Sequence, residues 1–156
     1  GPFPTELEGE LADYIRERGH EYGTVTGRPR RVGWFDAVVA RYVSRLAGID
    51  SWALMLFDVL SGLDKVSICV GYEVDGEVIE NPPATIAKLD RCKPVLLEME
   101  GWKEDISNVK SFDELPEAAK AYVRNIEEVT GVKVGVISVG ADRSKTIIID
   151  EKLKNF

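Results

Sequence analysis

Two short runs constrain this chain most. Residues 51–57 (SWALMLF) are apolar without a break, and residues 132–137 (VKVGVI) are nearly so. Neither alternates between apolar and polar positions, which is the pattern of strands buried on both faces of a sheet. Just before the second run, Ala119, Tyr122, Val123, Ile126 and Val129 recur at helical spacing. Leu115-Pro116 opens that helix and Gly131 stops it. Strand and helix patterns interleave in this way along the whole chain, so the expected class is α/β, a mixed sheet flanked by helices.

Further elements follow from the same periodicities. Thr5 and Glu8 form a T-x-x-E capping box, and Leu7, Leu11 and Ile15 sit at helical spacing. Together they predict an amphipathic helix over 5–18, with Gly19 and His20 at its end. Residues 35–46 read as a helix closed by Gly48. Residues 66–74 read as a strand, Asp75-Gly76 as a type I′ hairpin turn, and Val78-Ile79 as the returning arm. Residues 81–93, with Pro82 and Pro83, are irregular, 94–99 a short strand, 101–113 a polar loop and 145–149 a last strand. Trp34, Trp52 and Trp102 suit the core or loop anchors.

Charge and cysteine usage narrow the function. The chain carries 20 Lys+Arg against 27 Asp+Glu, a formal net charge of -7. That balance argues against general nucleic-acid or anionic-membrane binding, so any anion site must come from a local basic cluster. No apolar run approaches the roughly 18–20 residues of a membrane span. Cys69 and Cys92 stand at no metal-ligand spacing and suit a reducing cytoplasm. Cys69 reads as packing, whereas Cys92 lies between Arg91 and Lys93, cations that would lower its pKa. A single histidine, His20, leaves no His-rich metal site. The chain opens on Gly1-Pro2-Phe3-Pro4 rather than Met, the expectation for a polypeptide that begins partway through a longer protein.

Three segments could carry chemistry. In Gly23-Thr24-Val25-Thr26-Gly27-Arg28-Pro29-Arg30-Arg31, Pro29 biases Arg28 to extended backbone. Arg28 and Arg30 then project to one side and Arg31 to the other. Paired guanidinium groups can grip a carboxylate or phosphate, and Thr24, Thr26 and the glycine-rich backbone add donors. The plainer alternative is a surface loop whose arginines pair with nearby acids. Asp58, after the first apolar run, could accept both the N1 hydrogen and the 2-amino group of guanine, or could simply cap the turn 59–63. Ser138-Val139-Gly140, after the second run, could offer backbone N–H groups to a base or phosphate, or could be an ordinary turn. No G-x-x-x-x-G-K-[ST], G-x-S-x-G or H-E-x-x-H motif occurs. The chain offers recognition groups without a catalytic centre.

The segments GPFPTEL, EYGTVTGRPRRVGWFD, FDVLSGLDKVSICVGY, GW and LPEAAKAYVRNIEEVTGVKVGVISVGADR, in that order, closely resemble the C-terminal part of adenylosuccinate synthetase. The resemblance spans nearly the whole chain, residues 1–156. It implies part of a larger P-loop NTPase-like fold. It also implies the Mg²⁺- and GTP-dependent joining of IMP to L-aspartate, in which GTP phosphorylates the 6-oxygen of IMP and aspartate displaces that phosphate. Residues 20–34 would hold the aspartate loop, with Thr24, Val25, Thr26, Gly27, Arg28 and Arg30 as its binding positions. Thr26 and Arg28 would hold the aspartate carboxylates, Arg28 would also lie beside IMP, and Arg30 would reach the GTP phosphates. Residues 54–60 and 138–143 would form the base-recognition loops, with Leu56, Phe57 and Asp58 in place of the family's K-L-D, and Ser138, Val139 and Gly140 as its S-x-G.

Two departures stand out. Val25 replaces the first Thr of T-T-G-R, and Leu56 replaces the Lys that flanks guanine. The family's G-D-E-G-K-G-K phosphate loop, with its catalytic Asp, and its catalytic His do not occur among these residues, and His20 matches neither. The resemblance therefore implies no catalytic residue and no Mg²⁺ ligand in this chain, which alone would be inactive. The complete enzyme would be a cytoplasmic homodimer in which an Arg of one subunit reaches the other's IMP site. Alternatives are an ATP-using ligase of a 2-amino purine nucleotide, a non-catalytic nucleotide-binding module, or a separate subunit that joins an N-terminal partner.

Overall fold

The computed structural model describes residues 1–155. Its elements are α1 (Gly9–Gly19), β1 (Phe35–Asp36), α2 (Ala37–Ala47), β2 (Ser51–Leu54), β3 (Lys65–Val74), β4 (Glu77–Ile79), α3 (Ile86–Leu89), β5 (Lys93–Glu100), α4 (Glu117–Thr130), β6 (Lys133–Ser138) and β7 (Thr146–Ile148). The chain divides into two compact units, residues 1–42 with 67–97, and residues 43–66 with 98 onward. The expected α/β class holds, with two mixed sheets in place of one.

In the first unit β3 is the central strand. β1 lies parallel to it, Phe35 opposite Ile68 and Asp36 opposite Cys69, and β5 also pairs with it. β4 returns antiparallel through Asp75-Gly76, whose φ angles of 54° and 82° are those of a type I′ turn. Val38, Cys69, Tyr72, Val74 and Cys92 form the core, with Ile79 and Leu89 against it. Asp36 explains why β1 lasts only two residues. Its Oδ1 accepts the N–H groups of Val38 (2.9 Å) and Val39 (3.2 Å), which starts α2. Its Oδ2 accepts the Tyr72 hydroxyl, and burial pushes the Tyr72 phenol well above its ordinary range.

The capping box over residues 5–8 does not form. α1 starts at Gly9, behind Glu8, which makes no side-chain cap. Thr5 instead is 2% exposed, packed beside residues 33–34. His20, at φ 51°, closes the helix. Burial also reverses the expectation for Cys92, whose pKa is raised by desolvation despite Lys88 and Arg91. Cys69 is pushed up to about 12 by the same cause. Residues 81–93 are less irregular than expected, because Thr85 caps the one-turn helix α3 through Lys88 N–H (3.3 Å).

In the second unit β2 and β6 run parallel, from Ser51 opposite Lys133 to Leu54 opposite Ile137, with a bulge after Trp52. β7 returns antiparallel on β6. β6 is buried on both faces as expected. β2 is not: its residues are half-buried, Ala53 is exposed, and the strand stops before Met55, which is 63% exposed. α4 buries Ala119, Tyr122, Val123 and Ile126, and Trp52 Nε1 donates to Thr130 Oγ1 at its C-terminus (3.1 Å). The polar stretch 101–113 is anchored by Trp102 and Ile106, 2% and 0% exposed.

Candidate functional site

The arginine loop lies in the first unit, on a narrow two-stranded stem. Tyr22 and Pro29 face each other as an antiparallel bridge. Gly23 N–H donates to the Arg28 carbonyl (2.8 Å), Gly27 N–H to the Gly23 carbonyl (2.8 Å), and Arg30 N–H to the Glu21 carbonyl (2.9 Å). Gly27, at φ 65°, turns the tip, a conformation any side chain would strain. Thr24, Val25, Thr26, Gly27 and Arg28 are all exposed, and Val25 is 97% so. Thr26 Oγ1 accepts the Arg28 N–H at 3.3 Å.

The three arginines differ in what holds them. Arg30 pairs with Glu21 (2.9 Å), and its carbonyl accepts Arg16 Nε from α1 (3.0 Å). Arg31 makes a two-point contact with Glu6, Nε to Oε1 at 2.6 Å and Nη2 to Oε2. That pair holds the Glu6 carboxyl below its ordinary range and the Arg31 guanidinium above its own. Among the described residues no carboxylate pairs with Arg28. The plainer reading of the loop, arginines tied to neighbouring acids, thus holds for Arg30 and Arg31 and leaves Arg28 out.

The two other segments lie in the second unit, at the carboxyl ends of parallel β2 and β6, where ligands of α/β sheets sit. They meet directly: Leu56 N–H donates to Ser138 Oγ at 2.7 Å. Leu56 adopts the left-handed conformation, φ 53° and ψ 43°, which is rare for a branched side chain. It turns the chain into the 3-10 helix Phe57–Leu60. Asp58 is the second residue of that helix and not its cap. It is half-buried, with Oδ1 out of solvent. Ser138 and Val139 are buried. The Val139 N–H does not face outward as the sequence suggested, because it donates to the Lys145 carbonyl (2.9 Å).

Packing fixes this corner. Phe57 packs against Trp102 with ring centres 4.9 Å apart and planes tilted by 43°, and Tyr122 stands 6.0 Å from Phe57. Trp102 Nε1 donates to Ser61 Oγ (2.9 Å), and its carbonyl accepts Gly62 N–H (2.7 Å). Lys145 Nζ donates to the Ser107 carbonyl (2.7 Å) and Asn108 Oδ1 (3.0 Å). Sequence reasoning missed Glu6, Glu21 and Lys145 as partners. Acids flanking an arginine cluster were the available signal for the first two, and nothing local marks Lys145.

Comparison with known proteins decides the family. A sequence model described as adenylosuccinate synthetase matches residues 1–147. The chain belongs to the adenylosuccinate synthetase family. The adenylosuccinate synthetase of Caldanaerobacter subterraneus subsp. tengcongensis is 52% identical over 156 residues, all of this chain and 36% of its own length. That of Clostridium perfringens is 53% identical over 153 residues, 98% of this chain and 36% of its own. The solved structure of fully ligated adenylosuccinate synthetase from Plasmodium falciparum matches with a TM-score of 0.91 at 42% identity, over 96% of this chain and 36% of that one. The chain thus spans about a third of the length of these synthetases. Among the described residues no three His, Cys, Asp or Glu side chains gather to hold a metal, and no helix is long and apolar enough to cross a membrane.

Proposed function

We propose that these residues supply the aspartate loop and the base pocket of an adenylosuccinate synthetase, in the C-terminal part of a cytoplasmic, homodimeric enzyme that joins IMP to L-aspartate at the expense of GTP. The observation that carries this reading is Arg28, a cation without an acid partner among the described residues, in a loop whose other two arginines are paired. Its planar fork matches a carboxylate by two parallel hydrogen bonds. The Thr26 hydroxyl, two residues earlier in the same turn, donates to the second carboxylate. Arg30 faces the phosphate side, and Asp58 accepts the N1 and 2-amino hydrogens of guanine. Orientation is this segment's contribution: it presents the aspartate amine to the activated carbon of IMP, which raises the local concentration of the nucleophile. Mg²⁺, when bound, neutralises phosphate charge. The described residues offer it no ligand set, so it is assigned to none of them. The phosphate loop and general base belong to the portion of the synthetases these residues do not match, and the segment alone is inactive.

The test is a chimera. Replacing the matching segment of the Clostridium perfringens synthetase by this chain should give an active GTP-dependent ligase. In it, Arg28→Ala should raise the KM for aspartate by about 10- to 150-fold, as loss of a charged carboxylate clamp worth about 1.5–3 kcal/mol predicts. A folded chimera that binds none of the three substrates overturns the reading, as does ligase turnover by the isolated segment. Leu56 supports a second reading, an ATP-type nucleotide with a 2-amino purine substrate. Leu56→Lys in the chimera should shift preference toward GTP, and an unchanged GTP-to-ATP ratio would remove Leu56 as a selector.

A further inference from the structure

The two stems of the arginine loop are held by different parts of the chain. The incoming stem is tied to α1: Glu21 N–H donates to the Arg16 carbonyl (2.9 Å), and the Tyr22 hydroxyl donates to Glu17. The outgoing stem, residues 31–34, is tied to residues 1–7. Glu6 and Gly33 form an antiparallel bridge. Leu7 N–H donates to the Val32 carbonyl (2.9 Å) and Trp34 N–H to the Thr5 carbonyl (3.2 Å). The strands come so close that a Cβ on Gly33 would stand 2.4 Å from the Thr5 carbonyl oxygen. Only glycine fits there.

Arg31 is the side chain that closes this brace. Besides its two bonds to Glu6, it donates from Nη1 to the Gly1 carbonyl (2.8 Å) and lies 5.3 Å over the Phe3 ring. All three of its nitrogens are engaged. With Arg30 paired to Glu21, an unpaired Arg31 would compete with Arg28 for one dicarboxylate, and each mode of capture would place the amine differently. Glu6 removes that competitor and fixes the register of the strand that carries Arg28.

We infer that Glu6 is a positioning residue of the aspartate loop, acting through Arg31 to keep Arg28 directed at the aspartate carboxylate, while Arg30 keeps its own hold on Glu21. This rests on the aspartate reading proposed above. Glu6 touches no substrate in this account, so its signature is selective. In the chimera, Glu6→Gln should raise the KM for aspartate by about 10-fold, since misplacement on the order of 1 Å costs up to about 100-fold. The values of kcat and of KM for IMP and GTP should stay within about twofold. Arg31→Gln should do the same, and the double variant should be no worse than either single one, because both act through one pair.

A general structural role predicts something else: lower thermal stability and a fall in active fraction, with all KM values moved together or none. That outcome overturns the inference. The Arg28→Ala control separates the two layers. If Arg28→Ala raises the aspartate KM and Glu6→Gln does not, the positioning role fails alone. If Arg28→Ala leaves that KM unchanged, the aspartate reading and this inference fall together.

Discussion

The arginine loop holds its shape with charge, whereas the strand-end loops hold theirs with buried rings. Residues 20–34 are braced by Arg30 on Glu21 and Arg31 on Glu6, all at the surface. Residues 56–58 and 138–140 are braced by Phe57, Trp102 and Tyr122, each at most 4% exposed, and by one hydrogen bond from Leu56 to Ser138. The difference fits what each would bind. A dicarboxylate is captured by a cation, and a cation kept available must be exposed and kept from its neighbours. A planar base is selected by shape and by a few fixed acceptors, which demands a rigid wall.

The largest effect should come from the rings. Trp102→Ala removes the centre of the aromatic cluster, and it takes away the hydrogen bond that Trp102 Nε1 donates to Ser61 Oγ. It should destabilise the protein by about 3–5 kcal/mol, read as a lower midpoint in urea. A cost below about 1 kcal/mol would mean that packing does not hold these loops. A smaller effect should come from Ser138→Ala. It leaves the Leu56 N–H without its acceptor at a half-buried site, which costs about 1–2 kcal/mol. The same variant should loosen the left-handed Leu56, visible as faster exchange of the Leu56 amide. Unchanged exchange there would show that the Phe57 packing alone sets the turn.

Much of this contrast was legible in the sequence, and the failures have physical causes. α4 was readable because one periodic stripe, Ala119 to Ile126, meets one core. The turn at Asp75-Gly76 was readable because both residues tolerate positive φ. The run TGRPRR was readable as an exposed cation cluster by residue type alone. What local patterns could not show were choices made by distant partners. Thr5 has the chemistry of a helix cap, yet its backbone pairs with Trp34 across the chain, and its hydroxyl is buried without a hydrogen-bond partner. SWALMLF reads as one strand, but pairing with β6 ends at Leu54 and the left-handed Leu56 turns it away. Trp102 was readable as an anchor by residue type, whereas Ile106 is an isolated anchor with no period to reveal it. Arg28 and Arg31 look alike in sequence, and only the position of Glu6 separates a cation held from one left available.

That last distinction gives the smallest and most local prediction. Glu6 has a carboxyl below its ordinary value of 4.5, chiefly because Arg31 donates hydrogen bonds to it. A depressed carboxyl contributes to the folded state above its unfolded pKa, and that contribution is lost as pH falls through the lower folded pKa. Between pH 5 and 8 the brace should therefore be constant, and it should open only in acid, below about 4.5. Hydrogen exchange reads this directly. After correction for intrinsic rates, protection of the Leu7 and Trp34 amides should fall as pH drops below about 4.5, while the amides of α4 and of β6 at Ile137 keep theirs. Glu6→Gln should abolish the dependence by making the two amides unprotected at every pH. Protection at Leu7 and Trp34 that ignores pH would mean that the backbone bridge, and not the charge, holds the outgoing stem. The contrast between a charge-held loop and a ring-held one would then reduce to Arg30 and Glu21 alone.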